Sequence, residues 1–338
     1  MPQKILVKFL GTNGSVELTD CLDVFAYFPA LFQNWPYEIS HVDNQEQEPI
    51  FSIEKIGDDY RISSSLNRKT QSLKHPLNTA CSLVAELAWA RLHMQPDLLC
   101  FHGAAVEFNG QLVLFPNRYR TGKSTLVACL SALGRKIFTD DYLPMECDEN
   151  NGFFGISNGA APRLRLPIPK EFSTDLNAYL KDNEGPQNKQ YLYLSLNEGL
   201  LAHHGERLPI STVVLLDRVD NACPEILDAQ PADVLRRLIK QNFSRSINPA
   251  RILELLGFLV SSTRLNILRY SNAEEAGELL NRKFGGKLDE RIYPEFKLCS
   301  PNRLYENTTI LSNNSCIMSP DQQYVQAENI VELSYDED

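Results

Sequence analysis

The segment Arg120-Thr121-Gly122-Lys123-Ser124-Thr125 constrains the fold of this chain more than any other. An apolar run at residues 112–115 precedes it, and a second apolar run at residues 126–130 follows it. This order predicts a strand, a tight loop and a helix. At such a junction, the backbone N–H groups of the loop and the positive end of the helix dipole face an anion. We therefore expect an α/β domain that holds phosphate at this loop.

The residue types in the loop indicate which phosphate ligand it holds. A lysine placed like Lys123 reaches the β- and γ-phosphates of a nucleotide, and the first hydroxyl after it, on Ser124, binds Mg²⁺. ATP and Mg²⁺ are therefore the expected ligands. The predicted nucleotide-binding residues are Asn117, Arg120, Thr121, Gly122, Lys123, Ser124 and Thr125.

The loop departs from the usual P-loop pattern at two positions. Asn117 stands where the pattern has glycine, and Arg120 stands at a second common glycine position. Asparagine tolerates positive φ better than most residues, so Asn117 is a reasonable substitute. Arg120 either adds positive charge near the phosphates or marks a changed loop. A bare Gly-Lys-Ser-Thr tetrapeptide also occurs by chance, and the flanking strand and helix favour the functional interpretation.

Composition restricts the class of protein. The 338 residues carry a net charge of −10, which argues against general nucleic-acid binding because that needs a basic surface. No run approaches the roughly 20 apolar residues that cross a bilayer. The eight cysteines are scattered without a C-x-x-C pair, which favours reduced thiols in a cytoplasmic protein. We expect no nucleic-acid and no membrane partner.

Periodicity along the chain predicts its organisation. Residues 1–97 form a small N-terminal α+β domain, residues 98–285 form the P-loop domain, and residues 286–338 form a weakly patterned tail. Asn109-Gly110 between two apolar runs is a strong hairpin signal, and the second arm of that hairpin leads into the phosphate loop. Residues 136–141 form a strand with two carboxylates at its end. Residues 157–190 are rich in Pro, Asn, Arg and Gly and are expected to form a long functional loop with short helical turns.

Three more side chains are expected to converge on the loop. His102 begins the hairpin, and Asp140 and Asp141 end the strand after the first helix. Ligands of α/β sheets bind outside the carboxyl ends of the strands. One carboxylate would then lie beside Mg²⁺, and the other would accept a proton from an attacking hydroxyl. The alternative is that the aspartates are turn or cap residues and that His102 is a packed histidine at a strand start.

This order of motifs resembles the catalytic domain of the HPr serine kinase/phosphorylase family. The family has a His-Gly, a hairpin, a P-loop and an Asp-Asp pair; here His102 lies 21 residues before Lys123, and Asp141 lies 18 after it. The similarity covers about residues 98–285. It implies an HPr-kinase-type α/β fold with a mixed sheet and hairpins. It also implies that Asp141 accepts the proton of the substrate hydroxyl, supported by His102, and leaves Asp140 as the metal-side carboxylate.

Other segments fit the resemblance less closely. Asn242-Phe243-Ser244-Arg245 resembles the family's Asn-Phe-Arg region near the site. The segment from Pro162 to Pro167 replaces an acidic, glycine-containing signature that supplies a metal-binding glutamate, so the chain is identified as a divergent relative. Of its arginines, Arg163 or Arg165 is a candidate phosphate contact. Arg207 and Arg245 are expected on the solvated surface.

The resulting prediction is an ATP-dependent kinase that transfers the γ-phosphate to a Ser or Thr hydroxyl of a small protein or peptide. Its catalytic residues would be Asp141, His102 and Lys123, and its metal ligands Ser124 and Asp140. The alternatives are a small-metabolite kinase, an NTP hydrolase, or an inactive nucleotide-sensing module. A homo-oligomer is left open.

Overall fold

A computed structural model of the chain describes residues 3–40, 48–116, 121–148, 152–244 and 247–286. These residues belong to one compact unit. Predictions for Asn117, Arg120 and Arg245, and for the tail after Gly286, lie outside the described residues. Within the described ranges, no helix is both long enough and apolar enough to cross a membrane.

The N-terminal part of the chain forms a six-stranded sheet with the order β3-β1-β2-β4-β5-β6. Its strands are β1 Lys4–Phe9, β2 Ser15–Thr19, β3 Tyr37–Ser40, β4 Phe51–Ile56, β5 Asp59–Ser64 and β6 Thr70–Leu73. Its helices are α1 Leu22–Phe25, α2 Phe28–Leu31 and α3 Pro76–Met94. The helix α3 packs against α1, α2 and the β5–β6 edge of this sheet.

The central part is a nine-stranded mixed sheet. Its strands are β7 Leu99–His102, β8 Ala104–Phe108, β9 Gln111–Phe115, β10 Ile137–Thr139, β11 Tyr142–Asp148, β12 Gly152–Ile156, β16 Arg207–Arg218, β17 Glu225–Asp228 and β18 Arg264–Tyr270. The main order is β10-β8-β9-β16-β12-β11-β7, with β18 paired to β16 and β17 paired to β18. The pairs β9–β16 and β16–β18 are parallel, and the other pairs are antiparallel. The predicted α/β class with a mixed sheet is therefore observed.

Helices cover both faces of the central sheet. These helices are α4 Lys123–Ala132, α6 Pro231–Gln241, α7 Pro249–Ser262 and α8 Ala273–Phe284. Along β9, Leu112 and Leu114 pack with the α6–α7 core, whereas Val113 and Phe115 pack with the α4–α8 core. A strand buried on both faces needs an uninterrupted apolar run, which explains the sequence of residues 112–115.

The predicted hairpin leads towards the segment that is expected to bind phosphate, which we call the phosphate loop. Asn109 and Gly110 both have positive φ, at 53° and 77°, as a two-residue hairpin turn of this type requires. The strand β10 pairs antiparallel with β8, and β8 pairs antiparallel with β9. Hence β10 and β9 run in the same direction, and their carboxyl ends lie on the same edge of the sheet, although β8 separates them.

The prediction of a long loop at residues 157–190 is wrong. This segment contains β13 Arg163–Arg165, α5 Thr174–Asp182 and β14 Glu184–Gln187, and with β15 Tyr191–Leu194 it forms a three-stranded sheet of order β13-β15-β14. Leu164, Leu176 and Leu192 pack against Ala128 and Cys129 of α4. The short strands are thus stabilised by burial against α4 despite a composition that favours loops.

The segment between α2 and β3 contacts the central part through Asn34. Its N–H donates to Gly159 O at 3.0 Å, and its carbonyl accepts from His204 N at 2.8 Å. Its Nδ2 donates to Leu201 O at 2.6 Å. A Cβ on Gly159 would lie 2.3 Å from Asn34 O, so the close approach requires glycine there.

Candidate active site

The junction between the phosphate loop and α4 depends on Gly122. Its φ is 87°, and it is the residue immediately before the helix. Tyr270 at the end of β18 donates its hydroxyl to Thr121 O at 3.1 Å, and a Cβ on Gly122 would lie 2.7 Å from that hydroxyl. Both the left-handed conformation and the space available therefore demand glycine.

Lys123 is the first residue of α4 and is only 7% exposed. Burial lowers the pKa of this lysine to about 8, although the carboxylates of Asp141 and Asp140 act in the opposite direction. Its Nζ lies 3.3 Å from His102 Nε2. The ammonium group thus sits at the positive end of the helix with much of its hydration removed, which strengthens its interaction with an anion.

His102 lies between Lys123 and Asp141. Its Nδ1 is 3.1 Å from Asp141 Oδ1. We assign the proton to Nδ1, which donates to the carboxylate and leaves Nε2 to accept from Lys123. The backbone fixes this arrangement because Gly103 N donates to Asp141 O at 2.8 Å. The structure therefore brings together the three residues that the sequence predicts to be catalytic.

Asp141 is also held by a cation, Arg163 of β13. Arg163 Nη2 lies 3.2 Å from Asp141 Oδ2, and the aspartate side chain remains 43% exposed. Burial would raise the pKa of Asp141, but the charge of Arg163 and the hydrogen bond from His102 hold it well below its usual value. The carboxylate is therefore an anion at neutral pH and a weaker proton acceptor than an ordinary aspartate.

Asp140 is in a different environment from its neighbour. It is 8% exposed, accepts from Arg163 N at 2.9 Å and is hydrogen-bonded to the Ser124 hydroxyl. Burial and the nearby charge of Asp141 raise the pKa of Asp140 to about 6. The structure thus brings Ser124 and Asp140, the two predicted metal ligands, into direct contact.

The donor set at Ser124 and Asp140 fits Mg²⁺. Hydroxyl and carboxylate oxygens are the hard ligands that this ion prefers, and Mg²⁺ usually takes only one or two protein ligands beside water and phosphate. In the described ranges, no group of three or more His, Cys, Asp or Glu side chains is arranged to hold a metal. A site built from one hydroxyl and one carboxylate needs no such group.

The other predicted residues occupy different places. Arg165 Nη2 donates to the Tyr191 hydroxyl at 3.0 Å, whereas Arg207 pairs with Glu146 at 3.0 Å with both side chains more than 40% exposed. Phe243 N donates to Cys100 O at 3.0 Å, and Cys100 N donates to Ser244 Oγ at 2.7 Å. The described part of the Asn-Phe-Ser-Arg segment therefore runs beside β7, the strand that ends at His102.

Sequence reasoning missed two electrostatic interactions at this site. Arg163 was a candidate phosphate contact, and its ion pair with Asp141 was not foreseen. The charge of Arg237 on α6 acts on Lys123 and lowers its pKa further. The alternation Arg-Leu-Arg of β13 could have placed Arg163 and Arg165 on the same face opposite Leu164. No sequence signal pointed to Arg237.

No protein-family model matches the chain, and no curated protein matches it. Among solved structures, the chain is similar to the HPr(Ser) kinase/phosphatase from Coxiella burnetii, with 14% identity and a TM-score of 0.27. The match covers 55% of this chain and 99% of that chain. A similarity of this size supports no conclusion about activity, so what the chain does must be argued from its own residues.

Proposed function

We propose that the chain is an ATP-dependent kinase that transfers the γ-phosphate to a Ser or Thr hydroxyl of a small protein or peptide. The observation that carries the proposal is the line of contacts from Lys123 through His102 to Asp141 at the start of α4. It combines an anion-binding helix terminus with a carboxylate that is oriented and 43% exposed.

Each residue has a role in this proposal. Lys123 and the N–H groups at the start of α4 bind the transferring phosphoryl group. His102 orients Asp141, which accepts the proton of the attacking hydroxyl as the new O–P bond forms and the bond to ADP breaks. Ser124 and Asp140 would hold Mg²⁺, which when bound neutralises phosphate charge. Little covalent chemistry is asked of the protein, since positioning and charge dominate phosphoryl transfer.

One observation favours a second candidate, a nucleotide-sensing module without turnover. The ion pair with Arg163 keeps the pKa of Asp141 well below the value that suits a general base near neutral pH. A phosphate-binding loop with a weakened base would bind the nucleotide and transfer its γ-phosphate slowly or not at all.

The experiment that separates these candidates combines binding with turnover. Calorimetry would first measure the affinity of the full chain for MgATP. Mass spectrometry would then detect phosphopeptides after incubation with a Ser/Thr peptide library, with the same library carrying Ala at the acceptor position as its control. Phosphopeptides from the Ser/Thr library alone support the kinase. ADP release without any peptide would indicate a hydrolase, and tight binding without turnover would indicate the sensor. Absence of MgATP binding would refute the site itself.

A further inference from the structure

Tyr270, the last residue of β18, contacts the phosphate loop through its hydroxyl. The hydroxyl donates to Thr121 O at 3.1 Å, although the two residues lie 149 positions apart. Tyr270 is 1% exposed and packs in the α4–α8 core, and its backbone carbonyl accepts from Val219 N at 2.9 Å. The ring and the backbone of this residue are both fixed, so the hydroxyl holds Thr121 O from a rigid position.

The Tyr270 hydroxyl is a neutral hydrogen-bond donor. A carbonyl oxygen such as Thr121 O has no proton to give, so the hydroxyl must donate in this contact. Burial raises the pKa of Tyr270 to about 12, and the proton therefore stays on the hydroxyl at neutral pH. The contact with Thr121 O can thus persist throughout the neutral pH range.

The contact with Thr121 O also fixes the direction of the next N–H group. A trans peptide is planar, and its C=O and N–H point in opposite directions. Because Thr121 O faces Tyr270, the N–H of Gly122 faces away from it. Gly122 directly precedes α4, and its own carbonyl accepts the first helical bond, from Leu126 N at 2.9 Å. The Gly122 N–H is therefore one of the donors at the start of the helix that have no acceptor within it.

Gly122 cannot maintain this orientation by itself. Its φ is 87°, but glycine takes positive and negative φ about equally well. Rotation of the peptide group between Thr121 and Gly122 would therefore meet little resistance from Gly122, and it would turn the N–H away from the anion-binding side of the loop. A donor on Thr121 O opposes this rotation. Gly122 thus permits the conformation, and Tyr270 selects it.

We propose that Tyr270 is a positioning residue for phosphate binding, which holds the Gly122 N–H towards the phosphates of the nucleotide. This inference rests on the proposed function, since it requires a nucleotide at residues 122–125. In this role Tyr270 acts through the peptide group between Thr121 and Gly122 and not through a contact with the nucleotide.

NMR of the full chain tests the direction of this amide. Thr121-Gly122 is the only Thr-Gly pair in the sequence, so ¹³C at the threonine carbonyl and ¹⁵N in glycine together select one amide signal. In the wild type, MgATP should shift the Gly122 amide proton to higher frequency, as a hydrogen bond to phosphate requires. In Tyr270→Phe the shift should be smaller.

The wild-type spectrum tests the proposal even if Tyr270→Phe does not fold. A Gly122 signal that stays in place while calorimetry shows MgATP binding to the wild type would overturn the proposal. Equal shifts in the wild type and in Tyr270→Phe would overturn it as well, because the orientation of the amide would then not depend on the hydroxyl.

Calorimetry measures how much this restraint contributes to binding. Tyr270→Phe should weaken MgATP binding about threefold to tenfold, the range expected for one hydrogen bond. Tyr179→Phe is the matched control because the Tyr179 hydroxyl also has a side-chain partner, Ser131 at 2.6 Å, but Tyr179 lies on α5 and does not contact Thr121. This control should bind MgATP as tightly as the wild type.

The outcomes separate the two proposals. If Tyr270→Phe binds MgATP as tightly as the wild type, or loses no more affinity than Tyr179→Phe, Tyr270 has no positioning role and the proposed kinase is unaffected. If the wild type binds no MgATP, the proposed function fails and the role of Tyr270 fails with it.

Discussion

Arg163 Nη2 lies 3.2 Å from Asp141 Oδ2, and the backbone N–H of the same arginine donates to Asp140 Oδ2 at 2.9 Å. One residue of a three-residue strand therefore holds both carboxylates. The guanidinium also stacks over Tyr191, with Cζ 4.5 Å from the ring centroid, which limits its freedom to leave Asp141. The two aspartates have opposite pKa shifts: Arg163 and His102 lower the pKa of Asp141 against the effect of burial, whereas burial and the charge of Asp141 raise the pKa of Asp140 despite Arg163.

Arg163→Gln should raise the pKa of Asp141 because the opposing charge is lost. The proposed phosphotransfer requires this carboxylate to be ionised, so the acid limb of the pH–rate profile should move to higher pH. Measuring rate against pH for both proteins checks this. Arg165→Gln is the control, since Arg165 bonds to Tyr191. An unchanged acid limb in Arg163→Gln would show that Arg163 does not influence the group whose ionisation controls the rate.

Asp141→Asn should leave MgATP affinity nearly unchanged and reduce phosphotransfer by about 10²- to 10⁴-fold, the usual contribution of a positioned base. Phosphopeptide formation, read alongside calorimetry, measures both effects. Asp175→Asn is the control, because Asp175 lies in the first turn of α5 and is not one of the proposed site residues. Full phosphotransfer by Asp141→Asn would refute the role of Asp141 as base.

Asp140→Asn should stabilise the ligand-free protein at pH 7 while increasing its Mg²⁺ requirement. Burial raises the pKa of Asp140 in the folded protein to about 6, above the value of about 3.9 for an aspartate exposed to water. The ionised carboxylate of Asp140 therefore lowers the free energy of unfolding at pH values above about 6. At about 1.36 kcal/mol per pKa unit the gain is up to ~3 kcal/mol. It should vanish below about pH 4, near the reference pKa of aspartate. Urea unfolding of both proteins at pH 4 and pH 7 tests the sign of this effect. A difference in unfolding free energy between variant and wild type that is the same at both pH values would contradict it.

MgATP affinity should fall as pH rises above 8, because the pKa of Lys123 is lowered to about 8 and binding then requires uptake of a proton. The expected slope is about tenfold per pH unit. Calorimetry in buffers of different ionisation enthalpy would also detect the proton. Lys123→Arg, which stays charged, should bind with little dependence on pH. If the wild-type affinity for MgATP does not change between pH 7 and pH 10, the ammonium group of Lys123 does not contact phosphate.

Gly122→Ala should destabilise the protein more than Gly110→Ala does. Both glycines have positive φ, 87° and 77°, a conformation that costs other residues roughly 1–2 kcal/mol. A Cβ at Gly110 meets nothing within 4 Å, whereas at Gly122 it meets the Tyr270 hydroxyl at 2.7 Å. Urea denaturation compares the two free energies of unfolding. Tyr270→Phe in the Gly122→Ala background should recover the steric part alone. Equal losses in the two single variants would show that the clash is relieved by movement of Tyr270.

Local signals predicted the elements on which the site is built. Asn109-Gly110 predicted the β8–β9 hairpin, and the apolar run before the phosphate loop predicted the buried strand β9. Asp140 and Asp141 were expected at the edge of the sheet reached by the phosphate loop, and they are found there because β10 and β9 run in the same direction. Each of these features depends on a few adjacent residues and can therefore be predicted from the sequence.

Features that depend on distant packing were missed. The strands β13 and β14 have only three and four residues, and their composition does not distinguish them from a loop until Leu164 meets α4. The pairing of Arg163 with Asp141 joins residues that lie 22 positions apart. Neither residue type signals the other along the chain, so only the folded structure reveals the ion pair.

The three hydrogen bonds that Asn34 makes to Gly159, Leu201 and His204 have a practical consequence for any attempt to shorten this protein. A fragment starting at residue 98 would retain every proposed catalytic side chain. It would also leave three backbone groups of the central part without their partner, and each such group costs about 1–3 kcal/mol when it stays buried. Loss of activity in that fragment would then report unfolding rather than chemistry, so enzymatic assays belong on the full-length polypeptide.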